Sequence, residues 1–323
     1  MSVLVTGAAG FIGYHVAEAL LARGHAVIGV DNLNDYYDVR LKQARLARLE
    51  EHDGFAFRKL DFSSREGMDL LGQTFPDITQ IVHLGAQPGV RYSLINPYAY
   101  VTSNVMGQVV VLELARTLKK LRNVVYASSS SVYGGNQKMP FAVGDAVETP
   151  QSLYAATKRA DELIAHTYAH LYGLPLVGLR FFTVYGPWGR PDMAPIIFTR
   201  AILAGEPIRV FNHGEMWRDF TYIDDIVAGV LAAMDKPPAV RPPHKLYNLG
   251  NNRSEKLTDF IAELERALGK KAQIRFEAMQ PGDVTRTYAD IEETRRDLGF
   301  NPATPIGIGV PKFAAWYKEF HGG

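Results

Sequence analysis

Val3-Leu4-Val5-Thr6-Gly7-Ala8-Ala9-Gly10-Phe11-Ile12-Gly13 opens the chain and decides how the rest is read. A short apolar run of strand type meets three glycines at G-x-x-G-x-x-G spacing, and a stretch of helical period follows. Gly7 and Gly10 let the backbone approach a pyrophosphate, whose charge sits on the helix N-terminus. Gly13 lets that helix pack close to the sheet, with Phe11 and Ile12 between. A tight strand–helix turn uses glycine as well, so the flanking strand and helix carry the argument. Asp31 ends the second apolar run. A carboxylate there binds both hydroxyls of an adenosine ribose and repels a 2′-phosphate, which favours NAD over NADP. The plainer reading of Asp31 is a loop cap before Asn32-Leu33-Asn34.

Outward from this motif, strand-like and helix-like stretches alternate. Residues 2–5, 26–30, 55–60, 80–84, 123–127 and 176–180 read as strands, and 13–23, 39–51, 97–121 and 153–172 as helices. Such alternation implies right-handed crossovers and an α/β, doubly wound parallel sheet of Rossmann type. After Arg180 prolines become frequent and loops lengthen. The expected division is a dinucleotide-binding domain over residues 1–181, with a return segment near 220–250, and a smaller α/β substrate domain over 182–323.

Composition narrows the class. Of 323 residues, 47% are hydrophobic and 21% charged, which excludes a disordered tail, a collagen-like fibre and a coiled coil. Lys plus Arg is 35 against 34 for Asp plus Glu, a net charge of +1, so neither a nucleic-acid partner nor a polybasic membrane anchor is expected. There is no cysteine, which removes disulfides, thiolate metal sites and cysteine nucleophiles. No leader or membrane span is expected, and the cytoplasm is the expected compartment.

Tyr154-Ala155-Ala156-Thr157-Lys158 places a phenol and an ammonium four residues apart on one helix face. A tyrosine base must fall from a pKa of about 10 to about 7, roughly 4 kcal/mol. The ammonium, an oxidised nicotinamide and a helix N-terminus can share that task. Alone, the pair is equally a surface pair. It gains weight beside Ser128-Ser129-Ser130-Ser131, which follows a strand at the end of the sheet where ligands bind.

T-G-A-A-G-F-I-G, H-L-G-A-Q, S-S-S-S-V-Y-G, Y-A-A-T-K, R-F-F-T-V-Y-G-P, R-D-F-T-Y-I-D-D and P-G-D together resemble the extended short-chain dehydrogenases that act on nucleotide sugars. The resemblance runs from Val3 to about Asp290. Residues 31–37 and 186–193 most resemble the UDP-glucuronate 4-epimerase group. The resemblance implies Tyr154 as base, Lys158 on the cofactor ribose, and Ser129 nearest the 4-hydroxyl, with Ser128 and Ser130 as runners-up. It implies Asn32, Asp61 and Phe62 around the adenosine, and Leu84, Gly85 and Ala86 along the cofactor groove. Arg218 and Asp283 would hold the diphosphate and uridine. The pattern usually has alanine where this chain has Gly85, and little effect is expected from the smaller residue. A homodimer is implied, through helix 97–121 and the Tyr154 helix.

Dehydratases of this group carry Asp-Glu where this chain has Ser130-Ser131, and a serine pair does not readily shuttle the required proton. Epimerisation at C4 remains. Thr183 and Arg190 form a hydroxyl–guanidinium pair suited to a carboxylate at C6. Alone, Arg190 reads as an exposed loop charge. UDP-glucose or N-acetylglucosamine epimerisation and UDP-glucuronate decarboxylation stay as alternatives. No metal is expected: His166 and His170 have zinc-like spacing but no third ligand. Asp225 is expected to cap a helix starting at Ile226.

Overall fold

The computed structural model describes residues 1–279 and 284–322. Strands and helices alternate through the first half: β1 (Ser2–Thr6), α1 (Phe11–Ala22), β2 (Ala26–Asp31), α2 (Val39–Glu50), β3 (Phe55–Lys59), α3 (Arg65–Thr74) and β4 (Ile78–His83). Then follow α4 (Pro97–Tyr100), a π-helical stretch (Val101–Met106), α5 (Gly107–Thr117), β5 (Asn123–Ser129), α6 (Leu153–Tyr172) and β6 (Leu176–Phe181). Beyond come β7 (Thr183–Tyr185), α7 (Ala194–Ala204), β8 (Pro207–Val210), β9 (Trp217–Arg218), β10 (Phe220–Tyr222), α8 (Ile223–Asp235) and β11 (His244–Leu249). The chain ends through β12 (Glu255–Lys256), α9 (Leu257–Leu268), β13 (Gln273–Phe276), α10 (Glu292–Leu298) and α11 (Ile306–His321).

Seven of these strands form one parallel sheet in the order β11-β6-β5-β4-β1-β2-β3. Its inner strands are buried runs, as a sheet covered on both faces requires, while edge strand β3 is part-exposed. Helices α3, α5 and α6 pack together on one face, and α1 packs against α2 and α8 on the other. The winding reverses between β1 and β4, which opens a crevice beyond their carboxyl ends. β11 returns late in sequence to pair with β6, and three two-stranded sheets, β10-β7, β12-β9 and β13-β8, lie outside the large one.

Three local expectations change. The stretch 97–121 is not one helix: a π-helical turn separates α4 from α5, because buried Asn104 turns its amide out of the helix to bond Gln87 and Thr157. Helix α3, absent from the expected list, is ten residues long and buries only Met68 and Leu71, too few to reveal a period. Helix α8 starts at Ile223, and Asp225 accepts instead from the backbone amides of Ala303 and Thr304 at 3.1 and 3.0 Å.

Candidate active site

The phosphate loop is built for close approach. Gly7 has φ +70°, and a Cβ there would stand 2.8 Å from Gly85 backbone. A Cβ on Gly13 would stand 2.0 Å from the Gly7 carbonyl oxygen, so α1 sits against the loop as only glycine allows. Gly10 caps α1 with no side-chain hydrogen bond, leaving the first-turn amides facing the cleft that Gly7, Gly10, Phe11, Ile12 and Gly13 line. This uncapped terminus fits a dinucleotide pyrophosphate.

Asp31 and Asn32 line the same cleft at the end of β2. The Asp31 carboxylate accepts from Ala9 N–H at 3.2 Å and Leu33 N–H at 2.8 Å, so it also braces the loop. Lys42 Nζ lies 3.9 Å away, buried, and donates to Asn34. Asp61 does not line the cleft. Its carboxylate accepts from Ser63 and from Asn32 Nδ2 at 3.0 Å, and these bonds outweigh burial and hold its pKa below the ordinary value. Its contact with the cleft is through Asn32, which it holds in place.

Phe62, Leu84, Gly85 and Ala86 line the groove's far side. Here Gly85 matters more than its small size suggested. A Cβ on it would stand 2.5 Å from the Phe62 ring, so the phenyl fills the space an alanine methyl would need. Behind it, Thr6 Oγ1 accepts from Gly85 N–H at 3.1 Å and bonds His83 Nδ1 at 2.7 Å. Burial, with Lys158 adding, pushes His83 down to about 3, so the ring is neutral.

At the other end of the cleft, Tyr154 and Lys158 project from the first turns of α6, which Ser152 caps at Ala155 N–H. Lys158 Nζ donates to the Ala127 carbonyl at 2.9 Å, which ties it to the end of β5, and to Asp161 Oδ2 at 3.1 Å. Burial pushes the Asp161 carboxyl up to about 6 against the pull of Lys158. Ser129, Ser130 and Ser131 line the cleft beside Tyr154, and Ser129 Oγ lies 3.1 Å from Ser131 Oγ. Ser128 also touches the cleft, but its hydroxyl donates to Glu162 at 2.6 Å, a carboxylate that Arg180 grips at 2.8 and 2.9 Å. That engagement favours Ser129 over Ser128 as the substrate serine.

Thr183 and Arg190 complete this end. Arg190 is part-buried and bidentate on Asp192 at 3.0 and 2.8 Å, and Tyr36 OH donates to the same carboxylate at 3.1 Å. Arg218 lies in an adjoining smaller cleft that shares Ser130, Ser131 and Thr183 with the first. Asp283 lies outside the described residues. Among the described residues no group of three or more His, Asp or Glu has metal-site geometry, and His166 is instead a ring neighbour of His244.

Sequence reading missed Lys42, Arg45, Tyr36, Asp161 and Asp192. The first two carried a signal. Leu41, Arg45 and Leu49 recur at helical spacing, and so do Lys42, Leu46 and Leu49, so both cations sit on the buried stripe of α2.

The sequence profile of the NAD dependent epimerase/dehydratase family matches residues 3–250. The chain belongs to this family. UDP-glucuronate 4-epimerase 3 of Arabidopsis thaliana is 49% identical, over 100% of this chain and 77% of that protein. Protein CapI of Staphylococcus aureus is 48% identical over 99% of each chain. Among solved structures of the family, a UDP-glucuronic acid 4-epimerase from Bacillus cereus, in complex with UDP-glucuronic acid and NAD, superposes with TM-score 0.92 at 34% identity. That match covers 99% of this chain and 100% of that one.

Proposed function

We propose that the chain is an NAD-dependent 4-epimerase that interconverts UDP-glucuronate and UDP-galacturonate. One observation carries the reading. The sugar end of the cleft is lined by the hydroxyls of Ser129, Ser130, Ser131, Tyr154 and Thr183 together with Lys158 and Arg190. Among the described lining residues the sole carboxylate is Asp31, at the adenosine end. Dehydration needs an acid beside the leaving group, and none lines that end. Returning the hydride is the chemistry left, provided that Thr183 and Arg190 keep the carboxylate from leaving. The relatives named as UDP-glucuronate 4-epimerases support the same substrate.

Gly7, Gly10, Gly13, Asp31 and Lys158 would hold NAD, which would supply a reversible hydride acceptor for C4. The chain's own groups do the rest. Tyr154 takes the proton of the 4-hydroxyl, which Ser129 holds. Lys158, fixed by Ala127 and Asp161, supplies the positive charge that makes the phenol a usable base. Thr183 and Arg190 hold the C6 carboxylate. Arg218, with Asp283, holds the diphosphate and uridine. The test is incubation with UDP-glucuronate, UDP-glucose and UDP-N-acetylglucosamine, with the product sugars identified. UDP-galacturonate is expected from the first, and no change in any would overturn the reading. Tyr154→Phe keeps the ring and should lose about 10²–10⁴-fold in turnover while still binding NAD.

The working form is a homodimer, and a cysteine-free chain of this kind suits the cytoplasm. No helix among the described residues is long and apolar enough to cross a membrane. Leu94, Ile95, Tyr98, Val101 and Met106 are exposed around the π-helical stretch, and Leu163, Leu171 and Tyr172 are exposed on α6, which packs against it. A second copy covering these two segments buries that surface. Light scattering that gives the mass of one chain would remove the dimer.

A further inference from the structure

Arg45 is fully buried on α2, yet among the described residues no carboxylate pairs with it. Its guanidinium spends itself on backbone carbonyls instead. Nη1 donates to the Ala9 carbonyl at 2.8 Å and to Tyr37 OH at 2.9 Å. Nη2 donates to the carbonyls of Trp188 at 2.5 Å and Gly189 at 3.2 Å. Nε has no partner. Burial depresses its pKa, the mark of a cation held where a charge is costly.

The two ends of this bridge are both at the site. Ala9 belongs to the phosphate loop, and Trp188 and Gly189 lead directly into Arg190. The same loop is fastened at two further points. His15 bonds the Pro187 carbonyl at 3.0 Å from α1, the helix that the phosphate loop opens. Trp188 packs its ring against Tyr14, Trp316 and Phe320, with centroids 5.7, 5.5 and 5.0 Å apart. Its backbone has φ +61°, a left-handed conformation that a bulky residue adopts only when its surroundings impose it. Beyond it, Arg190 is fixed on Asp192.

We propose that Arg45 is a positioning residue that fastens the Arg190 loop to the phosphate loop, so that recognition of the sugar carboxylate depends on the dinucleotide half of the site. This rests on Arg190 binding that carboxylate. Arg45 does not line the cleft. It acts through the carbonyls that aim Arg190, and a small error in aim is costly at such a site.

The test uses the NAD-loaded protein on a Tyr154→Phe background, where the sugar does not turn over, and measures UDP-glucuronate and UDP binding by calorimetry. Arg45→Met should weaken UDP-glucuronate by roughly tenfold, within the usual range of coupling between sites, and leave UDP within about twofold. Arg45→Lys, which can reach one carbonyl at a time, should recover part of the loss. Arg190→Ala is the reference. If Arg190→Ala lowers UDP-glucuronate affinity and Arg45→Met does not, the inference falls and the proposed function stands. If Arg190→Ala leaves UDP-glucuronate unchanged, the carboxylate is bound elsewhere and both fall. If Arg45→Met does not fold, Arg45→Lys decides: equal loss for UDP and UDP-glucuronate, or no loss, overturns the inference.

Discussion

On the proposed function, Thr183 and Arg190 carry the narrowest chemical duty in the cleft. Once C4 of a glucuronate is a ketone, the sugar is a β-keto acid. It loses carbon dioxide when the bond from C5 to the carboxylate lies parallel to the carbonyl π orbitals. An epimerase must keep that bond out of line while the sugar turns over. Asp192 occupies the Nε–Nη2 edge of Arg190, which holds the guanidinium in one orientation beside Thr183. Arg190→His or Thr183→Ala should therefore weaken UDP-glucuronate, slow epimerisation and release carbon dioxide, with a 4-keto-pentose visible by mass spectrometry. Clean epimerisation at unchanged affinity in both variants would exclude these residues as the clamp. The place of both residues in the cleft was legible in sequence because a family motif surrounds them. Lys42 and Arg45 carried a fainter signal, since a lysine and an arginine on a helix ordinarily mark a solvated face, and only their spacing with the apolar stripe of α2 tells otherwise. Asp61, expected beside the adenosine, stands behind the cleft lining instead, because its bonds to Asn32 and Ser63 are made in space.

Among the elements, the π-helical stretch joins two parts of the site. Asn104 accepts from Gln87 N–H at 2.7 Å and donates to Thr157 Oγ1 at 3.0 Å, and Thr157 in turn donates to the Tyr154 carbonyl at 2.9 Å. The loop after β4 is thereby tied to the helix that carries the phenol. Asn104→Ala leaves a buried Gln87 N–H without a partner, which should cost about 1–3 kcal/mol in urea unfolding. Turnover should fall with it, because the first turn of α6 loses its brace. A loss under about 0.5 kcal/mol, the size of an ordinary surface change, would show the brace to be idle. The break itself could not be read from sequence. Apolar residues on most faces of 97–121 suit one continuous helix, and the departure comes from an asparagine bonding partners 17 and 53 residues away. The βαβ half was legible for the opposite reason. Its glycine spacing and strand–helix alternation are local, and Ser152 and Gly173 bound α6 where helix signals place its ends.

For the whole molecule, buried titratable groups set the response to acid. Burial pushes His15 and His244 down to about 4 and His83 to about 3. In the unfolded chain they protonate near 6.5. The stability these neutral rings contribute is complete above about 6.5 and is lost as pH falls toward 4. Asp161 and Asp219 act in the other sense, each raised to about 6 by burial. Their contribution is complete below about 3.9 and is lost as pH rises through about 6. Between pH 4.5 and 6, proton uptake by the buried histidines is set against release by the buried aspartates, and the two partly offset on unfolding. The melting temperature should therefore decline only gently from pH 7.5 to pH 5, and a slope of three protons over that span would contradict the balance. The late return of β11 bears on how the gene tolerates interruption. A message cut short ahead of His244 would leave β6 outermost, six buried residues with an unpaired ladder along one side. Such an edge invites strand addition from another copy. Premature termination would then yield insoluble material in place of a smaller protein that still holds its dinucleotide.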